Sequence, residues 1–397
     1  MHINDILKAA TERKASDVHL KVGSHPIIRV DGVLLPLVEF KRLMQEDTIA
    51  MAFSMMSTQQ KEKFKQFLEI DIAYSVPGLG RFRCNIFQQR GSVGLVLRLI
   101  PARILTIREL LLPPVLERIC DEERGLVLVT GTTGSGKSTS LAAMVDYINS
   151  RRNCHIVTIE DPIEFLHRDK KSIVNQREVE VDTRNFAVAM RAALRQDPDV
   201  ILVGEMRDFE TIETALHAAE TGHLVFSTLH TLDATETINR IISVFPPHQQ
   251  KQIRIQLQTV IKAVISQRLL PRADGLGRVP AVEVLISTPY IKDCIEQKEK
   301  TKLIRDAIAQ GTSQYGMQTF DQSLYALYKN GLITLDEAIR SATNPDELKL
   351  RVQGIQSTSD VSREEMESTL ESAQEPSPFA ADSPFEFGGK EGTDRLR

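Results

Sequence analysis

Gly131-Thr132-Thr133-Gly134-Ser135-Gly136-Lys137-Ser138 fits the pattern G-x-x-x-x-G-K-[ST] and stands between an apolar run at 126–130 and a helical pattern at 140–149. Strand, glycine loop and helix in that order make a phosphate cradle. The glycines let backbone N–H groups curl around phosphate oxygens, and the helix N-terminus adds the positive end of its dipole. Lys137 brings a compact positive charge to the β/γ-oxygens, and the Ser138 hydroxyl reaches Mg²⁺. Gly131, Thr132, Thr133, Gly134, Ser135, Gly136, Lys137, Ser138 and Thr139 are therefore the expected nucleotide contacts. The competing reading is a glycine turn that happens to precede a helix.

Working outward, apolar runs recur at 156–159, 200–203 and 224–228, each ending in a polar cluster and followed by a helical pattern. That is the grammar of a parallel α/β sheet. Open sheets of this kind place ligands at the C-terminal ends of their strands, where the sequence puts acids. Glu205 ends the 200–203 run and is placed to hold Mg²⁺ through its water shell. Glu160, Asp161 and Glu164 follow the 156–159 run, with Pro162 turning the chain. A carboxylate there can take a proton from the water that attacks the γ-phosphate. From the residues alone, a solvated acidic loop is an equally good reading. His223 and His230 flank the 224–228 run; a lone histidine in such a place is ordinarily a satisfied hydrogen-bonding group. Beside a phosphate site, the pair can instead report the γ-phosphate or bridge a subunit boundary. No H-E-x-x-H pattern points to metal ligation by them.

Residues 1–100 read as a small α+β domain, with a helical opening at 3–13 and strand-like runs at 27–30, 34–37, 82–87 and 93–99. Residues 101–124, with Pro101 and Pro113-Pro114, read as a linker, and 125–350 as the nucleotide domain, mostly helical after Gly277. The remainder, 351–397, reads as a disordered acidic tail: residues 356–397 carry ten acidic and four basic residues, which leaves the folded body slightly basic. Phe379, Phe385 and Phe387 stand in that tail, and an unbound solvated segment is preferred to a docking motif. Among the 397 residues there is no Trp and only 5% aromatics, which argues against base-stacking surfaces, and the net charge of -4 gives no drive toward nucleic acid. Cys84, Cys120, Cys154 and Cys294 form no C-x-x-C pair, and no run approaches a spanning helix. The expected compartment is the cytoplasm.

With those residues in hand, the chain resembles the secretion ATPases of the type II/type IV pilus superfamily, and within it the PilT family of retraction motors. The resemblance rests on the phosphate loop, the acidic box Thr158-Ile159-Glu160-Asp161-Pro162-Ile163-Glu164-Phe165, the stretch from Asp197 to Asp208 (DPDVILVGEMRD), and the histidine box TGHLVFSTLHT from Thr221 to Thr231. The opening Ala15-Ser16-Asp17-Val18-His19-Leu20 also matches. It implies a PAS-like N-terminal domain, a RecA-like ATPase domain, and a homo-hexamer binding ATP and Mg²⁺ between domains. It implies Glu160 or Glu164 as base, Glu205 as the acid beside Mg²⁺, His230 among the catalytic groups, and Arg81 and Arg98 as charge stabilisers at the phosphates. An ordinary solvated strand residue is the competing reading for each arginine, Arg83 included. The implied work is pilus retraction and twitching motility at the inner face of the cytoplasmic membrane, with a membrane platform protein and a related motor paralogue as partners. Assembly ATPases of the superfamily generally have a longer N-terminal region and two C-x-x-C pairs after the phosphate-loop core, neither of which this sequence shows; that favours retraction over the alternative of a pilus-assembly or type II secretion ATPase. The retraction family's helical signature A-I-R-N-L-I-R-E stands here as Tyr290-Ile291-Lys292-Asp293-Cys294-Ile295-Glu296-Gln297. Its apolar spacing predicts that the helix is kept, while its altered charges leave an accessory or regulatory paralogue as the alternative.

Overall fold

The structure is a computed structural model describing residues 2–30, 32–100 and 103–354. The N-terminal domain runs α1 (Ile3–Glu12), β1 (Asp17–Leu20), β2 (Ile27–Val30), β3 (Val33–Pro36), α2 (Gln45–Met55), α3 (Thr58–Phe67), β4 (Glu69–Val76), β5 (Gly80–Gln89) and β6 (Ser92–Ile100). Its sheet has the order β3-β2-β1-β6-β5-β4, antiparallel throughout. Ile3, Ile6, Leu7 and Ala10 recur at helical spacing and bury one face of α1 against it. On β5 the two-residue period buries Phe82, Cys84 and Ile86, and therefore turns Arg81 and Arg83 to the opposite face. The expected helix and four strands are all present; β1 and β4 were not foreseen.

The second domain runs α4 (Val115–Cys120), β7 (Gly125–Thr130), α5 (Lys137–Arg151), β8 (His155–Glu160), β9 (Ile173–Glu178), α6 (Phe186–Ala193), β10 (Val200–Val203), α7 (Phe209–Glu220), β11 (Leu224–Leu229), α8 (Ala234–Ser243), α9 (Gln250–Val260), β12 (Ile261–Pro271), β13 (Arg278–Ile286) and α10 (Pro289–Glu296). Further helices follow, the last at Pro345–Val352. The seven-stranded sheet is ordered β13-β12-β7-β11-β10-β8-β9. All its pairings are parallel except that of β12 with β13. Helices cover both faces, so β7, β10 and β11 are buried along their whole length. Phe226 on β11 is fully buried, and its truncation to Ala is worth about 3–5 kcal/mol of stability.

Three sequence boundaries need revision. The stretch expected to be mostly helical after Gly277 opens with a nine-residue strand, β13. Pro280 obscured it, yet β13 is an edge strand, where a missing N–H is tolerated. The segment expected as linker contributes Ile107, Leu112, Val115, Leu116, Ile119 and Cys120 to the core beneath α5. Of the expected tail, residues 351–354 are described and the last helix ends at Val352; the rest, with Phe379, Phe385 and Phe387, lies outside the described residues.

Candidate active site

The sheet order brings four strand ends to one edge. β7, β11, β10 and β8 are parallel neighbours, and their C-terminal ends deliver the phosphate loop, His230, Glu205 and Glu160 respectively. Side-chain bonds pin these ends together. Thr130 Oγ1 donates to Ser266 Oγ at 3.0 Å, and Ser227 Oγ and Thr228 Oγ1 donate to the carbonyls of Val203 and Gly204 at 2.8 and 2.7 Å. Gly204 N donates to Ile159 O at 2.8 Å, and a Cβ at Gly204 would lie 3.3 Å from that oxygen.

The phosphate loop is built on glycine geometry. Gly131, Gly134 and Gly136 all have positive φ, and Gly136 in the left-handed region starts α5. A Cβ at Gly131 would come within 2.4 Å of Gln267 O and 2.5 Å of Ser135 Oγ, so no other residue fits there without moving β12. Gln267, nearly buried on β12, donates to Ser140 Oγ at 2.8 Å and fixes the first turn of α5. The Lys137 ammonium donates to the carbonyls of Gly131 and Thr132 at 2.8 and 2.9 Å. Burial holds its pKa below the usual lysine value, opposed by the nearby charges of Glu164 and Glu205. Ser135 Oγ is buried with no hydrogen-bond partner. A buried orphan hydroxyl inside a glycine cradle fits a phosphate-bearing ligand.

The acids differ in their surroundings. Glu160 accepts from Thr158 Oγ1 at 2.6 Å and from Gln176 Nε2 at 3.1 Å, and Glu164 N lies 3.4 Å from its other oxygen. Desolvation pushes its carboxyl above the ordinary value in spite of those donors. Asp161 is likewise pushed up, first by desolvation and then by the charges of Glu180 and Glu205. Glu205 pairs with Arg207 at 2.8 Å and has His230 Nε2 at 3.7 Å. Burial and the Lys137 charge hold His230 below its usual pKa, with Glu205 opposing them. Glu205, Arg207, His230, Glu236 and Arg240 line a cleft of about 380 Å³ beside the loop.

The structure thus gathers the loop, Glu160, Glu164, Glu205 and His230. It separates His223, which precedes β11 and bonds Ala218 O at 2.9 Å, about 20 Å of strand away from His230. Arg98 pairs with Asp17 at 2.9 Å on the N-terminal sheet, its side chain largely exposed. Arg81, expected at the phosphates, is engaged with Glu178. Sequence reasoning missed Gln176, Glu178 and Gln267; the first two alternate on β9 and stand in register with Thr158 and Glu160, a signal visible only once that strand is assigned.

Residues 1–371 match the type II/IV secretion system protein family, to which the chain belongs. Within that family it is similar to the type IV pilus retraction ATPase PilT of Pseudomonas aeruginosa, at 48% identity over 350 residues, covering 87% of this chain and 99% of that protein. The type IV pilus ATPase PilU of the same organism is 41% identical over 353 residues, covering 89% and 92%. The crystal structure of the pilus retraction motor PilT with bound ADP superposes with a TM-score of 0.82 at 50% identity, covering 88% of this chain and 99% of that one. No helix among the described residues is long and apolar enough to cross a membrane.

Proposed function

We propose that this chain is an ATP-hydrolysing motor that drives type IV pilus retraction, working as a homo-hexamer at the cytoplasmic face of the membrane against a platform protein. The observation that carries the reading is the convergence of Lys137, Glu164 and Glu205 at one strand edge, close enough for both carboxylates to act on the ammonium. In this reading the N-terminal domain is PAS-like and the second domain RecA-like. Backbone N–H groups of 131–136 and the α5 N-terminus receive the phosphates of ATP, and Lys137 exchanges its loop carbonyls for β/γ-oxygens. Mg²⁺, when bound, neutralises charge developing on those oxygens, and Ser138 with Glu205 would hold it, Glu205 through water. Glu160, raised in pKa by burial, is suited to take the proton of the attacking water, with Glu164 beside it. His230 stands across the cleft from Glu205 at 3.7 Å, within reach of a bridging water. Arg98, whose side chain is largely exposed, would exchange Asp17 for the phosphates when domains close.

Deletion of the encoding gene tests the direction of work. Loss of a retraction motor leaves cells with more surface pili and no surface motility; loss of an assembly motor leaves bare cells. One observation favours the accessory paralogue as second reading. On α10, Ile291, Cys294 and Ile295 are fully buried, so the predicted helix is kept, while Tyr290, Lys292 and Asp293 alter its outward chemistry. Restoration of retraction by this gene alone, in cells lacking every related motor, excludes that reading.

A further inference from the structure

Glu178 ends β9 in register with Glu160 at the end of β8, and its side chain is 6% exposed. Its Oε2 accepts two donors, Ile163 N at 3.1 Å and the Arg81 guanidinium from the N-terminal domain. Val179 N, the next residue, donates to Glu160 O at 2.9 Å. The turn 160–163, which connects the two acids Glu160 and Glu164, is therefore gripped at both ends by the end of β9. The same segment also carries Glu180, which pairs with Lys63 of α3 at 3.0 Å. Both inter-domain ion pairs described here thus land within three residues of one strand end.

We propose that Glu178 is a positioning residue for hydrolysis: it holds the acidic turn through Ile163 N–H and reports the position of the N-terminal domain to that turn through Arg81. The proposal rests on the ATPase reading above. A nearly buried carboxylate deprived of its cation is strongly unfavourable unless it moves or hydrates. When the N-terminal domain withdraws Arg81, Glu178 has only a neutral N–H left, and its relaxation toward water releases Ile163. The base-bearing turn is then held at one end instead of two. Arg81 is itself half satisfied, since its Nε is buried without a hydrogen-bond partner, which suits a contact made and broken during a cycle. The exposed Lys63–Glu180 pair, in contrast, adds little, because solvent screens it.

The test is a double-mutant cycle on the assembled full-length chain. Glu178→Gln and Arg81→Met are each expected to lower kcat at least about tenfold, since a small misplacement of a reacting group has that consequence. KM for ATP should stay within about twofold, the phosphate loop being untouched. The double variant should be no slower than the slower single variant, because both remove one linkage. Lys63→Ala should hydrolyse ATP at the unsubstituted rate. Losses that multiply in the double variant would place Arg81 at the phosphate independently and overturn the proposal. So would an unchanged kcat in Glu178→Gln with normal hydrolysis by the unsubstituted chain. Should Glu178→Gln fail to fold by thermal melting, an unchanged rate in Arg81→Met overturns it equally. Absence of hydrolysis in the unsubstituted chain itself would overturn the ATPase reading first, and this proposal with it.

Discussion

Gln176 on β9 faces Glu160 on β8 and donates to its Oε1 at 3.1 Å, while the opposite atom of the same amide accepts from His167 N at 2.8 Å. The amide is thereby fixed with its donor toward the acid. Glu160 is stabilised by neutral donors alone, which do not outweigh its desolvation. Because its folded pKa is raised above the ordinary 4.5, the base form is lost earlier as pH falls, and kcat should rise with pH through that elevated value. Gln176→Leu removes a donor to the ionised form and should shift the acid limb of the kcat profile further toward alkaline pH. A limb unmoved by Gln176→Leu would show that Glu160 does not set it.

Ground-state binding and turnover should separate cleanly. Lys137→Ala should weaken ATP binding severely, and Gly131→Ala should do the same through its collision with Gln267 O. Glu160→Gln and Glu205→Gln should bind ATP nearly normally and hydrolyse it slower by about two orders of magnitude or more. Equilibrium nucleotide binding beside steady-state hydrolysis checks the pair of outcomes.

Arg98 is largely exposed, but the Asp17 carboxylate it pairs with is nearly buried and has only the Ser16 hydroxyl besides, at 2.8 Å. Arg98→Ala strips that carboxylate of its cation and should therefore lower the melting temperature measurably. If the guanidinium reaches the phosphates in the closed ring, kcat falls far more than ATP affinity does. The rate must be read at protein concentrations where ring assembly is verified by light scattering; an unsubstituted rate there removes Arg98 from the site.

Away from the site, Glu283 on β13 accepts from Ala234 N at 2.8 Å at the start of α8. Burial pushes its carboxyl up to about 7 from 4.5, with Asp233 adding to the rise and Arg268 and Arg305 opposing it. A folded pKa above the unfolded one means that this stability is fully present below 4.5 and lost as pH rises through about 7. Glu283→Gln keeps the acceptor and abolishes the titration. It should melt higher than the unsubstituted chain near pH 8, by up to about 3 kcal/mol of stability, and the gain should vanish at about pH 4 and below.

The phosphate loop and the acids were legible because each is local: an apolar strand, a sharp polar end and a helix follow one another within a dozen residues. β9 was not, because Ile173-Val174-Asn175-Gln176-Arg177-Glu178 is half polar and becomes a strand only by pairing with β8. Everything that depends on it, Gln176 under Glu160 and Glu178 under Arg81, was hidden for the same reason. The resemblance drew attention to Arg81 and Arg98, yet their ion-pair partners Glu178 and Asp17 are set by tertiary packing.

Sheet order also bears on how such a machine can change over generations. β7 lies between β12 and β11 deep in the sheet, whereas β8 has only β9 between it and the sheet's edge. On the function proposed above, the tight grip on fuel and the pace of its combustion are therefore housed in separately adjustable places. Substitutions along the rim at β9 can retune speed for a different load or temperature while the cell's ordinary nucleotide level still saturates the engine.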